Sequence, residues 1–590
     1  MIVKNFLICS LFGCFLFFPS LSLTTHNPDI VQFVEASSAS KTSLDQISVF
    51  EKWNCGNNTK LNFNAYIKEI GIPENCSMPI SIAFDEKDDK VWFIGTRNGT
   101  LFEYNLSNQT FNSYVIPVWF SRGLPLGNSW SWDMKIDNSG NSVWFTDEKL
   151  NSLWRFDKIQ KEFEQFIVPF SSTSYSTSYP VSLDFVDDNN LYLVGIRSLS
   201  LWHGNVDRMI NGTSEGFEEI QIPLNDMFQG IPRYEIGLGA LAIDKAKNNI
   251  WITALAFEKK GVLIKYDITN KKFSIYELPD SFRSPTGITL DSNDTLWVTD
   301  HATSSFYKIP SPRDNGILTT SDMEQIVTSP LSPRIYGIEI DDLSNNTINI
   351  YENSLPYWIK ADRDGTIYTN EHVGNKIARY FPQNDTLIEY WIPSQNIIYS
   401  ACNPNITIRE CGYSNALQFD IEPAISQNAN NQSSSVWFTE QSENKIGYVD
   451  LKKPLPISLS VSPSNLDMSN KNNNETLKLD INISSKYVTN NNSSSSQSLS
   501  YNDDILTLRP VISSTLTPNG GLNGLNATFD PEILYIQLNR NYTDRDFNSN
   551  SFSIILKPVS YIIPGDHNLM VGVESQDFTI MKKLKLKVED

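Results

Sequence analysis

Cysteine and histidine are both scarce in this chain, with six and five among 590 residues. Cys9 and Cys14 fall in an apolar N-terminal run, which leaves Cys55, Cys76, Cys402 and Cys411. No two of these have the close spacing of zinc ligands, so a structural zinc site is not expected. Positive charge is also short: 47 Lys and Arg against 67 Asp and Glu give a net charge of −20. That field repels nucleic acid and anionic membrane surfaces. Long hydrophobic runs are missing after residue 23, which excludes a later membrane-spanning helix.

The N-terminus has Lys4 ahead of the apolar run Phe6 to Phe18, then Pro19 and small polar residues. Residues 1–26 are therefore read as a secretory signal, and the mature protein as secreted or held at the cell surface. Retention as an anchor stays open, because Phe6 to Leu23 is 18 residues. Residues 27–60 are polar and unpatterned, a linker or stem. In an exported chain the four remaining cysteines form disulfides, and proximity favours Cys55 with Cys76 and Cys402 with Cys411. Asn-X-Ser/Thr sites at Asn98, Asn105, Asn211, Asn345 and Asn541 fit a glycosylated surface protein.

What the chain has in quantity is a repeat. Ser284 to Lys308 shows it best: an apolar run opened by Pro285, a turn at Ser292 to Asp294, then Leu296-Trp297-Val298-Thr299-Asp300, then a third strand after a second turn. The aromatic marker of the second strand recurs at Trp92, Trp144, Tyr192, Trp251, Trp297, Tyr368 and Trp437, spaced 46 to 71 residues apart. Fourth strands end in proline at Pro117, Pro169, Pro223, Pro279 and Pro393, and a spare copy ending at Pro73 precedes the first unit. The pattern predicts an all-β, seven-bladed β-propeller over residues 61–453, closed by its N-terminal strand. An eighth blade could lie within Ser311 to Leu355, with an extra hairpin around Arg334 to Ile340 and Asn349 to Glu352. Seven short alternating strands in residues 454–590 predict a C-terminal immunoglobulin-like β-sandwich.

In an antiparallel blade, the start of the first strand and the end of the second share one face of the ring. The long connectors Val118 to Ser129, Phe170 to Tyr179, Leu224 to Leu238, Ser311 to Leu355 and Ser394 to Ser414 open on that face, which makes it the expected binding face. A small molecule, glycan or peptide is the partner expected there. Trp130, Tyr179, Tyr357 and Tyr413 enter this rim as candidate ligand contacts. Three residues after the markers stand Asp147, Asp300, Glu371 and Glu440; four after stand Glu148, His301 and His372. Such carboxylates with two imidazoles suit a divalent cation, magnesium or calcium, and a base beside it. A strand-ending acid equally serves as a turn cap. The lone His26, His203 and His567 read as surface residues.

The units PTGITLDSNDTLWVTD, PYWIKADRDGTIYTNEHVGNKIARY and SVWFTEQSENKIGYVD resemble blades of the virginiamycin B lyase (streptogramin B lyase) family, over roughly Asn64 to Asp450. The resemblance implies a seven-bladed propeller that opens a cyclic depsipeptide by elimination, using magnesium and a histidine base directly after a blade-opening proline. Here the post-proline positions hold Ile80, Val181, Thr286 and Tyr357, and Ser284 and Leu355 stand where a glutamate would precede the proline. Three functions follow as expectations. The first is an extracytoplasmic ligand-binding or interaction protein without the family's base. The second is a divalent-metal-dependent C–O lyase or lactone-opening enzyme using His301 or His372, with metal at Asp300, Glu371, Glu440, Asp147 and Glu148. The third is a structural cell-surface glycoprotein.

Overall fold

A computed structural model describes residues 61–119, 129–172, 177–224, 226–310, 316–336, 349–395, 416–424, 433–468, 476–485, 505–537 and 551–589. Almost all regular structure is β. Meander sheets follow one another along the chain, each opened by a strand at Pro79–Asp85, Met134–Ile136, Pro180–Asp187, Ile236–Ile243, Pro285–Leu290, Pro356–Ala361 and Ile421–Ala424. These opening strands touch one another in chain order, and the last touches the first. The result is a propeller-like ring.

The marker aromatics explain the packing between sheets. All seven are buried, and five have a ring contact in the next sheet: Trp92 with Phe156, Trp144 with Phe185, Tyr192 with Tyr266 and Trp297 with Tyr380, at centroid separations of 5.7 to 6.5 Å. Trp437 of the last sheet reaches Tyr104 of the first, at 5.9 Å. Their role is therefore apolar cohesion of the ring.

The threonine two residues after the marker has a separate job. Most opening strands carry a bulge, as between Pro285 and Ile288, which leaves backbone groups out of the ladder. Thr253 and Thr299 hydroxyls accept the freed N–H groups of Ala240 and Gly287 at 2.9 and 2.8 Å. The same hydroxyls donate to carbonyls of the following sheet, those of Thr286 and Tyr357. Thr439 likewise donates to Ile80, across the point where the ring closes.

Closure uses the N-terminal strand, as the proline pattern implied. Ile67–Gly71 pairs antiparallel with Lys445–Asp450 as the outer strand of the last sheet. Glu69 accepts from Lys445 Nζ at 2.8 Å, from the Ser394 amide at 2.8 Å and from its hydroxyl at 2.7 Å. The preceding sheet repeats the device, with Lys376 Nζ 3.0 Å from Glu389. Within Ser311 to Leu355, Glu324–Val327 completes the fifth sheet, Gly316–Ile317 adds to the fourth in parallel, and Pro333–Tyr336 is a 3-10 turn where a hairpin strand was expected. No further four-stranded sheet occurs there among the described residues.

After the ring, two sheets face a shared core. One holds Ile457–Ser462, Leu477–Ser485, Leu525–Asp530 and Ser551–Pro558; the other holds Asn465–Asp467, Ile505–Ser514, Leu534–Gln537, Gly565–Glu574 and Phe578–Val588. Phe578–Val588 also pairs antiparallel with Thr386–Trp391, the outer strand of the sixth ring sheet, so one sheet runs through both regions. This covers an edge that would otherwise be open to other chains. Lys583 adds ion pairs to Glu324 and Asp385. No helix among the described residues is long and apolar enough to cross a membrane.

Removing one partner from a buried ion pair strands the other charge. Glu69→Leu is expected to destabilise the ring by about 3 kcal/mol, and Glu69→Leu with Lys445→Met to recover much of the loss. Thermal unfolding of the two variants beside the wild type checks this.

Candidate binding pocket and its histidines

The residue four after each marker leaves the second strand pointing toward the axis. In four consecutive sheets these residues are Ile196, Leu255, His301 and His372, and together they line a pocket of about 820 Å³ that includes its open mouth. The post-proline residues Val181, Thr286 and Tyr357 line the same space, with Leu238, Trp132, Trp358 and Phe419. The backbone places the histidines: His301 N–H donates to the Ser284 carbonyl at 2.9 Å, and His372 N–H to that of Leu355 at 3.0 Å.

The imidazoles meet edge to face, with centroids 4.9 Å apart and planes at 89°. Tyr357 lies 4.9 Å from His301 and 4.3 Å from His372, and Phe419 closes on His372 at 4.9 Å. His301 Nδ1 donates to the Pro356 carbonyl at 3.2 Å, which leaves Nε2 as an acceptor. Neither ring nitrogen of His372 makes a hydrogen bond of ordinary geometry, although the Gln418 backbone lies near enough to favour the protonated ring slightly. Burial drops His301 to about 4. Burial, with His301 beside it, holds His372 well below the usual histidine range. Both rings are neutral at pH 7.

The acids expected beside them are elsewhere. Side chains alternate along a strand, so the residue three after the marker turns away from the residue four after it. Asp147 accepts from the Trp119 and Trp154 indoles at 2.8 and 2.9 Å, from the Leu150 amide and from Ser129. Asp300 caps the amides of Ser284, Ala302 and Arg283, and burial raises it to about 6. Glu371 and Glu440 have no oxygen in an ordinary hydrogen bond. Burial raises both well above the carboxylate range, reinforced by Glu389 beside Glu371 and Glu69 beside Glu440. Glu148 accepts from the Trp132 indole at 2.7 Å, and burial raises it to about 7.

The magnesium or calcium centre expected from the sequence therefore does not fit these residues. Carboxyls that are protonated, or already bonded to indoles or, as at Asp300, to backbone amides, and spread between sheets are poor ligands for a hard cation. No group of three or more His, Cys, Asp and Glu among the described residues is arranged to hold a metal ion.

Of the expected rim aromatics, Tyr357 lines the pocket; Trp130 stands one layer back, stacked on Trp132 at 5.2 Å; Tyr179 lies outside it. Tyr413, Cys55, Cys402 and Cys411 lie outside the described residues. Cys76 is disulfide-bonded. His203, which bonds Asn190 at 3.0 Å, and His567 are remote from the pocket. Phe419, Phe257, Leu238 and Arg197 were missed in the sequence. Leu255 and Ile196 carried a usable signal, since they occupy the same repeat position as the histidines.

No family model and no curated protein matches the chain. Solved structures do. Virginiamycin B lyase from Staphylococcus aureus is similar at 16% identity and a TM-score of 0.44, covering 66% of this chain and 100% of that one. A streptogramin B lyase structure is similar at 17% and 0.45, covering 65% and 97%. The resemblance seen in the blade sequences is thus met among solved structures. The extracellular domain of a two component system from B. thetaiotaomicron is similar at 12% and 0.42, covering 90% of this chain and 59% of that one.

The buried histidines set a pH dependence. Unfolded, they take up a proton near pH 6.5; folded, His301 does so only at about 4 and His372 well below its usual range. At these two residues the unfolded chain binds more protons over this interval, so their contribution to stability falls as pH drops below about 6.5, while the buried carboxyls with raised values contribute in the opposite direction. His372→Gln removes that residue's share. Stability at pH 7 minus stability at pH 5 should be lower in the variant than in the wild type by about 2 kcal/mol, at about 1.4 kcal/mol per pH unit. Urea unfolding at both pH values measures it.

Proposed function

We propose that the chain is an extracytoplasmic protein whose ring, residues 61–453, is a seven-bladed propeller carrying an immunoglobulin-like sandwich, residues 454–590. Its function on this reading is to bind a small organic ligand in the pocket at His301 and His372. One observation carries the reading: a fully buried imidazole with no ordinary hydrogen bond forms part of an aromatic and aliphatic pocket. Buried polar atoms are rarely left without partners, and a concave apolar site with few polar groups is the usual form of a small-molecule site. The lining residues come from six successive blades, from Trp132 in the second to Phe419 in the seventh, so the pocket is fixed by the ring itself.

The same imidazole favours a second reading, a lyase or lactone-opening enzyme with His372 as base. A neutral ring without a committed partner is ready to accept a proton from a bound substrate. Metal enters neither reading, because the nearby carboxyls are occupied or protonated. The secretory signal, the Cys55–Cys76 and Cys402–Cys411 disulfides and the glycans belong to the same proposal. Asn98 is a poor acceptor among the expected glycan sites, since its amide already donates to Glu74 and Ser77, whereas Asn211 is exposed.

A thermal-shift screen of aromatic and cyclic-ester compounds on the protein lacking residues 1–26 tests the proposal. Hits are expected to raise the melting temperature of the wild type by a few degrees and to lose that effect in Leu238→Trp, which fills the pocket. Magnesium, calcium and manganese are expected to produce no shift. If a cyclic ester is turned over, the second reading requires His372→Ala to abolish turnover while leaving binding within about tenfold. Turnover that survives this change excludes His372 as the base.

A further inference from the structure

Arg197 is the only arginine or lysine in the pocket wall among the described residues. It follows Ile196, so its backbone is set by the same strand end that aims the repeat's pocket residues. The side chain is half-buried, and its guanidinium makes no ion pair or hydrogen bond among the described residues. The carboxyls around it are committed. Glu235, on the same wall, is paired with Lys259. Glu148 feels the charge of Arg197 but accepts from the Trp132 indole.

A second cation stands beside it. Arg233 donates to the Arg197 carbonyl at 2.7 Å and to the Ile236 carbonyl at 3.4 Å. Two guanidinium groups thus gather at the mouth of an apolar pocket in a chain of net charge −20. A half-buried guanidinium without a partner is costly, and its planar fork matches a carboxylate, sulfonate or phosphate oxygen pair.

We infer that the ligand is an organic anion with an aromatic or alicyclic body, its acidic group held by Arg197 and its ring against Tyr357, Trp358 and Phe419. The inference rests on the reading of this pocket as a ligand site. Of the other polar groups, the neutral His372 is free to accept a hydrogen bond from a hydroxyl or amide on the body.

The test uses a pair of dyes that differ in charge, 8-anilinonaphthalene-1-sulfonate and the uncharged N-phenyl-1-naphthylamine, titrated by fluorescence into the protein lacking residues 1–26. The sulfonate is expected to bind about tenfold more tightly, as for a charge-assisted hydrogen-bonded pair. Arg197→Met is expected to remove most of that preference while changing the affinity of the uncharged dye less than about twofold, and added salt is expected to narrow the preference in the wild type. Equal affinity in the wild type, or a preference that survives Arg197→Met, overturns the inference. Leu238→Trp separates the two levels. If it blocks both dyes while Arg197→Met has no effect, the pocket stands and the anion falls. If it folds and blocks neither, or if neither dye binds the wild type, the pocket reading falls as well. Should Leu238→Trp fail to fold, the wild type and Arg197→Met still decide.

Discussion

Hydrogen bonding by the polar side chain two residues after the marker aromatic, a threonine or Asn370, holds the strands that deliver Leu255, His301 and His372 to the pocket. A bulged opening strand brings its residues close to the ring axis, but it leaves backbone groups without ladder partners. Thr253, Thr299 and Thr439 satisfy those groups and, with the same oxygen, bind a carbonyl of the next sheet. At Thr253 or Thr299 an apolar β-branched residue would leave donor and acceptor unpaired in a dry interior. In the fourth and fifth sheets the threonine is held at both ends, and the residue two further on is Leu255 or His301. Asn370 does the same ahead of His372, accepting from the Trp358 amide and donating to the Gln418 carbonyl at 2.8 Å each, while Val194 stands at this position ahead of Ile196. Repetition then turns a local geometry into a shared cavity wall.

Desolvation does the rest. The pocket wall supplies aromatic faces and aliphatic groups in place of water, so both imidazoles remain neutral and His372 keeps its nitrogens available. The same burial neutralises the acids between the sheets. Glu371 beside Lys376 and Glu389, and Glu440 beside Lys445 and Glu69, put two carboxyls against one ammonium, and a proton on the third group relieves the excess charge. These acids belong to the cohesion of the ring and not to its rim chemistry.

Much of the fold was legible because propeller repeats write their packing into sequence. The marker aromatics, the proline-ended fourth strands and the early strand ending at Pro73 each have a structural counterpart. Seven expected strands after residue 454 are present, while Asn465–Asp467 and Leu525–Asp530 were missed, one for its brevity and the other because Gly520, Gly521 and Gly524 before it read as turn. Pairing of Phe578–Val588 with the sixth sheet was not legible, since edge pairing uses backbone groups that every residue carries. At the site, Asp300-His301 and Glu371-His372 were treated as one rim, although adjacent strand residues face opposite ways. Arg197 was hidden for a different reason: nothing local distinguishes a pocket arginine from a surface one.

The account's central claim is that the pocket holds a pair of neutral, desolvated imidazoles. Nitrogen-15 NMR of the histidine side chains tests it most directly, because the chain has only five histidines. Two rings are predicted to stay neutral at pH 5.5, one of them protonated at Nδ1 with Nε2 bare, as the Pro356 contact requires of His301. Assignment by His301→Gln and His372→Gln identifies them. Imidazolium signals from both residues at pH 5.5 would contradict the claim, since they would place water or a counter-ion where the account has a dry apolar pocket.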